Sequence, residues 1–535
     1  MLLMNADSLA QKEAWRKRGV TVPSFDYHAM VEATSAAPTW IHFGAGNIFR
    51  GFIAHLQHQL LEAGQVSTGI IAVDTFDFEL IDRIYQPYDN LSLLVSLKPD
   101  GSMEKEIVAA VAESIKGDAE GIRRLKELFT LSSLQMVSFT ITEKGYTLYD
   151  LQGEFLPTVR RDLTTGPHQP EHVMSIITAL LYQRYLAGKL PIALVSMDNY
   201  SRNGEKLQAS ILTVAKAWLT NNLVEKGFLT YLEDESLVTF PWSMIDKITP
   251  RPSPQVEKSL TELGIGAMSP LITGKNTYTA PFVNAEVPQY LVVEEKFPNG
   301  RPPLETVGVY FTDRETVNNV ERMKVMTCLN PLHTALAIFG CLLGYTSIAA
   351  EMQDKHLKKL VENIGYLEGM PVVVDPKIIN PQDFITEVIE ERLANPFIPD
   401  TPQRIATDTS QKLPIRFGET IKSYLRRRDL DVQSLFFIPL VFAGWCRYLL
   451  GVDDQLAPMP ISSDPMLPEL TAALSGIKVG DLHSYSGQLQ TILTNPVLFG
   501  VDLYQAGLGE KVENLFLEMI RGKGAIRNLL QRHLS

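Results

Sequence analysis

Apolar positions along the chain follow two regimes. In the first half, short apolar runs alternate with helical stretches. Trp40–Phe43 is a strand-like run that enters a glycine turn and then a helical pattern. TGIIAVDTFD is a second β-rich run, ending its apolar part at Asp74. LSLLVSLKP, MVSFTITEKGY and PIALVSMDNY read as further strands, with GIRRLKELFT and HVMSIITALLYQRYL as helices between them. Alternation of this kind predicts an α/β Rossmann-like, doubly wound sheet. Residues 1–38 read as a polar helical lead-in, and 270–310 as strands and turns around FPNGRPPLE. From about residue 312 the spacing turns helical, over 331–352, 355–364, 381–394, 418–428, 434–451, 468–475, 485–494 and 509–534. The expected layout is an N-terminal α/β domain over 1–310 and a mainly α-helical C-terminal domain over 311–535.

Composition narrows the function. Of 535 residues, 45% are hydrophobic and 21% charged, which is ordinary for a soluble globular protein. The net charge of −12 argues against nucleic-acid binding by phosphate neutralisation. It leaves room for a small anionic substrate in a local basic pocket. Cys328, Cys341 and Cys446 form no C-x-x-C pair, so neither a disulfide framework nor a structural metal site is expected. No signal-like N-terminal core is found, and the longest apolar runs, ALAIFGCLLGY and SLFFIPLVFAGW, are short for a bilayer span. A cytoplasmic enzyme with no membrane partner is expected, its oligomeric state left open.

The turn after the first strand carries candidate chemistry. Gly44, Gly46, Asn47 and Ile48 lie in G-A-G-N-I-F-R-G, between a strand and a helix. Glycine there admits close approach of a pyrophosphate to helix N–H groups. The second strand ends in Asp74, 28 residues past Gly46, against a typical spacing of about 20. A carboxylate at that point accepts ribose hydroxyls and repels a 2′-phosphate, so NAD is favoured over NADP. The alternative is that Asp74 only caps the following turn.

Seven blocks then occur in order: IHFGAGNIFRGF, TITEKGY, SMDNYSRNG, PWSMIDKITP, GRPPLE, KVMTCLNPLH and DTSQKLPIR. Together they resemble the polyol-specific long-chain dehydrogenases, the family of mannitol dehydrogenase and fructuronate (D-mannonate) reductase. The resemblance runs from residue 41 to 416. It implies metal-independent, NAD(P)-dependent oxidation of a secondary alcohol on an open-chain sugar derivative. It implies Lys324 as catalytic base, with Asn330 and His333 completing K-x4-N-x2-H and Asn199 as a second asparagine. Asp246, Arg404 and Lys412 fall at positions that line the family's substrate site.

Those residue types suit the reaction. An alcohol proton needs a base, and a lysine serves near neutrality when burial or a neighbouring cation lowers its ordinary pKa of about 10.4. Two asparagine amides can donate to the developing alkoxide. His333 follows Asn330 by three positions and can orient the substrate. Each residue also has a plainer reading: a solvated lysine at a helix start, an N-cap asparagine before Pro331, and a core histidine. The chain departs from the pattern in one respect. Five residues, not four, separate Lys324 from Asn330, and Pro331 follows. The extra residue is either absorbed in a bulge or displaces the lysine.

The small-molecule substrate is expected to be a sugar acid or polyol. Arg251, Arg404, Lys412 and Arg416 suit a carboxylate, which favours D-mannonate/D-fructuronate, with mannitol second. A phosphorylated polyol and a non-catalytic NAD-binding sensor on the same fold are the remaining alternatives.

Overall fold

The computed structural model describes residues 1–150 and 152–535. It divides into two compact units. The first comprises Met1–Leu97 and Ser102–Asn318, and the second Lys98–Gly101 and Asn319–Ser535.

The first unit is built on a six-stranded parallel sheet. Its strands are β1 (Trp40–Phe43), β2 (Ile70–Asp74), β3 (Val111–Lys116), β4 (Met136–Phe139), β5 (Ile192–Ser196) and β6 (Val238–Thr239). Their order is β3-β2-β1-β4-β5-β6, every pairing parallel. This is the dinucleotide-binding order, in which ligands bind beyond the carboxyl ends of the strands. β1, β2, β4 and β5 are buried throughout, as expected of strands covered on both faces. Alternate side chains enter two cores. Ile41, Phe43, Ile71 and Val73 pack with Leu125, Leu180 and Leu207. Trp40, Ile70 and Ala72 pack with Phe52 of the turn after β1 and with Leu56 and Leu60 of the helix that follows it.

Three sequence expectations change here. Residues 1–38 are more than a helical lead-in, since Val20–Thr21 pairs in parallel with Lys105–Glu106. Ser92–Leu97 joins a separate sheet with Met103–Val108 and Phe282–Glu286. The strand beside β2 is instead β3, which the sequence reading missed. β3 lies at the sheet edge and is part-exposed, so VAESIK lacks the continuous apolar run of its neighbours.

The second unit is helical. The central helix α2 (Asn330–Leu343) packs against α3 (Phe437–Tyr448), which packs on α4 (Gly509–Met519), whereas α1 (Ala54–Glu62) follows β1 in the first unit. The expected 331–352 helix stops at Gly344, whose φ of 79° ends α2 in a left-handed cap. The expected 509–534 helix breaks between α4 and Ala525–His533, where Gly522 and Gly524 take positive φ. Within 485–494 only Gln490–Leu493 is helical. The three cysteines are free and buried, and burial pushes their thiols up to about 12. The helical stretch Arg314–Leu343, taken together, is long and apolar enough to cross a bilayer, unlike the short runs read from sequence, but most of its apolar window is buried in the protein.

Candidate active site

In the first unit, the turn after β1 is shaped by close backbone approach. Gly44 has a φ of 104°, and a Cβ there would meet the Thr140 carbonyl oxygen at 2.1 Å. Only glycine fits. Gly46 differs: a Cβ there would meet nothing within 4 Å. That open approach suits a pyrophosphate, because the first helical turn beyond it has N–H groups without intrahelical partners.

Asp74 lies at the carboxyl end of β2, nearly buried. Its Oδ1 accepts the N–H groups of Phe76 (2.8 Å) and Asp77 (2.7 Å). Its Oδ2 accepts the N–H of Ala45 at 3.2 Å. Asp74 therefore caps its own turn and also ties it to the glycine loop. Burial raises its pKa, against the lowering effect of those three bonds. Oδ2 keeps a lone pair that can accept a ribose hydroxyl.

Asn47 opens the helix, and its Oδ1 accepts from Arg50 Nη2 at 2.8 Å. Ile48 precedes a π turn, Phe49–Ile53, that leads into α1. Arg50 was not singled out from sequence. It is buried and donates also to the Ala280 carbonyl (2.9 Å) and Thr279 Oγ1 (3.1 Å). Asn199 is exposed just past the carboxyl end of β5. Beside it Asp198 is fixed by Tyr146 (2.7 Å) and by the N–H groups of Ile141 and Thr142. Asp246 is buried at the end of strand Ser243–Asp246, opposite Tyr290.

In the second unit, Lys324 is buried and begins a π turn, Lys324–Cys328, closed by the Leu329 N–H to the Lys324 carbonyl at 3.1 Å. A π turn holds one residue more than an α turn. The fifth residue between Lys324 and Asn330 is thus taken up locally, and the helix resumes at Asn330. Pro331 sits in the first turn of α2, where its missing N–H costs nothing.

Around this turn lies a cationic cluster. His333 Nε2 is 3.3 Å from Asp400 Oδ2, close enough for an electrostatic contact but not aligned as a hydrogen bond. Burial lowers the His333 pKa, Asp400 opposes this, and Arg416 and Arg404 add to it. Asp400 also pairs with the exposed Arg404. Burial raises its carboxyl, but His333 and Arg404 outweigh this and hold it below the usual range. Lys412 Nζ donates to the carbonyls of Ile405 (3.0 Å) and Thr407. Burial, then Arg416, push its ammonium down to about 8. Arg416 donates to Thr334 Oγ1 (2.5 Å) and the Asn330 carbonyl (3.4 Å). Asp400 and Thr334 were also missed from sequence: Asp400 lies in a connector read only as a linker, and Thr334 in an apolar helix.

The family profile described as mannitol dehydrogenase Rossmann domain matches residues 38–306, and that described as mannitol dehydrogenase C-terminal domain matches residues 316–519. The chain belongs to the mannitol dehydrogenase family. A curated relative, the D-mannonate oxidoreductase of Thermotoga maritima, is 55% identical over 532 residues, covering 99% of this chain and 98% of its own. Among solved structures, Pseudomonas fluorescens mannitol 2-dehydrogenase in ternary complex with NAD and D-mannitol is similar, with a TM-score of 0.69, 25% identity and 99% of both chains covered. A substrate-free D-sorbitol dehydrogenase is similar too, with a TM-score of 0.77, 25% identity and coverage of 95% and 97%. For a mannitol dehydrogenase family chain, the 3-2-1-4-5-6 sheet, the strained Gly44 and the open Gly46 fit a bound dinucleotide.

Proposed function

We propose that the protein is an NAD-dependent oxidoreductase that interconverts D-mannonate and D-fructuronate. The observation that carries the substrate is the 55% identity, over nearly the whole of both chains, to a D-mannonate oxidoreductase. Bound NADH supplies a hydride to the keto carbon, and NAD accepts it in reverse.

The chain's own residues divide the remaining work. In reduction, the Lys324 ammonium gives its proton to the carbonyl oxygen as the secondary alcohol forms. In oxidation the neutral amine takes it back. Asn199 and Asn330 donate amide N–H groups to the oxygen while it carries charge. His333, held in electrostatic contact with Asp400, orients a substrate hydroxyl. Asp246 accepts from another hydroxyl, and Arg404 and Lys412 are the candidate partners of the substrate carboxylate. Gly44, Gly46, Asn47 and Ile48 line the pyrophosphate approach, and Asp74 faces the adenosine ribose. The supports for these roles are the burial of Lys324, the helix start at Asn330 and the cationic cluster around Lys412.

A second reading is a mannitol 2-dehydrogenase, favoured by the similarity to a structure with NAD and D-mannitol. NADH consumption with fructuronate, tagaturonate and fructose in parallel separates the two. Preferred turnover of fructuronate that collapses in Lys324→Ala supports the first reading and the role of Lys324. Preferred turnover of fructose supports the second. Turnover that survives in Lys324→Ala removes the lysine from the mechanism, and no turnover with any substrate overturns both readings.

A further inference from the structure

We propose that Arg416 is a positioning residue, a fixed cation that clamps the first turn of α2, the segment that carries Asn330 and His333. The sequence offers Arg416 only a share in a cluster suited to a carboxylate, and no task of its own. Its surroundings in the second unit give it one.

The geometry is a closed triangle. Arg416 Nη1 donates to Thr334 Oγ1 (2.5 Å) and to the Asn330 carbonyl (3.4 Å), and Thr334 Oγ1 donates to the same carbonyl (2.9 Å). α2 needs such a clamp. Its first turn follows a π turn, Leu329 has non-helical φ and ψ of −125° and −61°, and Pro331 contributes no N–H. The His333 N–H holds the Leu329 carbonyl at 3.0 Å, and the clamp fixes the next carbonyl, that of Asn330, so its loss loosens the turn that aims the Asn330 side chain.

The segment that carries Arg416 is itself anchored. Pro414–Gly418 is also a π turn, packed against the π turn of Lys324. Gly418 allows the Phe499 carbonyl to approach so closely that a Cβ would meet its oxygen at 2.2 Å. Arg416 is thus delivered from a rigid turn.

Its charge is unneutralised. Among the described residues no carboxylate pairs with Arg416, and burial alone pushes its guanidinium down to about 10. The groups facing Lys412 are Arg416 and Arg404, against Asp408 and Asp464. Asp464 is engaged by Ser410 through N–H (2.8 Å) and hydroxyl (2.5 Å). The groups facing His333 are Asp400, Arg416 and Arg404. Arg404 is exposed and paired with Asp400, so solvent and its partner screen it. Arg416, half-buried and without a carboxylate partner among the described residues, is the less screened of the two cations common to both sites. It disfavours protonation of Lys412 and His333 alike.

The test has a titration arm that needs no turnover. Competitive labelling of Lys412 with an amine reagent, read by mass spectrometry across pH, reports its charge directly. Half-labelling is expected near pH 8 in the unaltered protein. In Arg416→Met it is expected to rise by about one pH unit, while Arg416→Lys keeps the charge and the midpoint. An Arg416→Met midpoint equal to that of the unaltered protein overturns the electrostatic part. The kinetic arm rests on the reductase reading. Arg416→Lys and Thr334→Val are each expected to lower kcat about tenfold or more with KM for NADH unchanged, since the clamp is lost. Unchanged kcat in both overturns the clamp. If the unaltered protein does not turn over, the reductase reading fails and the titration arm alone decides the inference.

Discussion

Replacing the two glycines of the β1 turn by alanine should separate folding from cofactor binding. At Gly44 an alanine must adopt a φ of 104°, outside the regions open to a side chain, at about 1–3 kcal/mol. Its Cβ would also lie 2.1 Å from the Thr140 carbonyl oxygen and 2.6 Å from the carbonyl carbon. Neither is a flexible side-chain end, so β1 and the β4 turn must part. Overpacking of this kind costs about 1–3 kcal/mol. Together Gly44→Ala should lose about 2–6 kcal/mol, or roughly 3–9 °C in Tm for a unit of this size. At Gly46 the alanine Cβ meets nothing within 4 Å, so the free protein should melt as before. The methyl group then stands where a dinucleotide must approach the backbone. NADH affinity, followed by its fluorescence, should fall about tenfold or more. The assay is a thermal melt of each variant with and without NADH, beside an NADH titration. A Gly44→Ala protein that melts with the parent refutes the steric argument. A Gly46→Ala protein with parental NADH affinity refutes the placement of the cofactor.

Asp74→Ala should lower stability by about 1–3 kcal/mol, because three backbone N–H groups lose their acceptor. It should also let NADPH compete, and an unchanged NADPH/NADH preference in steady-state kinetics would count against Asp74 facing the ribose. Glu351 is buried with both carboxyl oxygens unpartnered among the described residues, and burial pushes its pKa up to about 9. Its folded pKa lies above the unfolded one, so its stabilising contribution is complete at acid pH and drains away as pH rises toward 9. The stability of the parent relative to Glu351→Gln should therefore fall by about 1.4 kcal/mol per pH unit between pH 5 and 8. Parallel denaturant curves for the two proteins check this, and curves of equal pH slope would show that Glu351 ionises freely. Asp400→Asn should raise KM for the sugar acid several-fold by releasing Arg404 and misdirecting His333. Kinetics at saturating NADH test it.

Much of the first unit was legible in the amino-acid order. β1, β2, β4 and β5 are covered on both faces, so each must be a continuous apolar run, and each was read as a strand. Their parallel character followed from the helices between them. β3 escaped because an edge strand needs less apolar surface, and residues 1–38 because a two-residue strand leaves no periodic signal. In the helical half, apolar spacing marked where helices lie but not where they stop. Gly344 and Gly522 end or break them through backbone conformation.

Chemistry divides the same way. The sequence alone determined which residue types could act and that Lys324, Asn330 and His333 stand together along the chain. It could not say what takes up the additional residue, because a π turn and a displaced lysine share one spacing. Only the tertiary structure shows the Leu329 N–H bonded back to Lys324. Asp74 could be placed at a strand end, yet its bond to Ala45 joins residues 29 apart. The clamp of Arg416 on Asn330 and Thr334 spans 86 and 82 residues. Local order sets propensity over a few residues, whereas hydrogen bonds of that reach exist only once packing has brought the segments together.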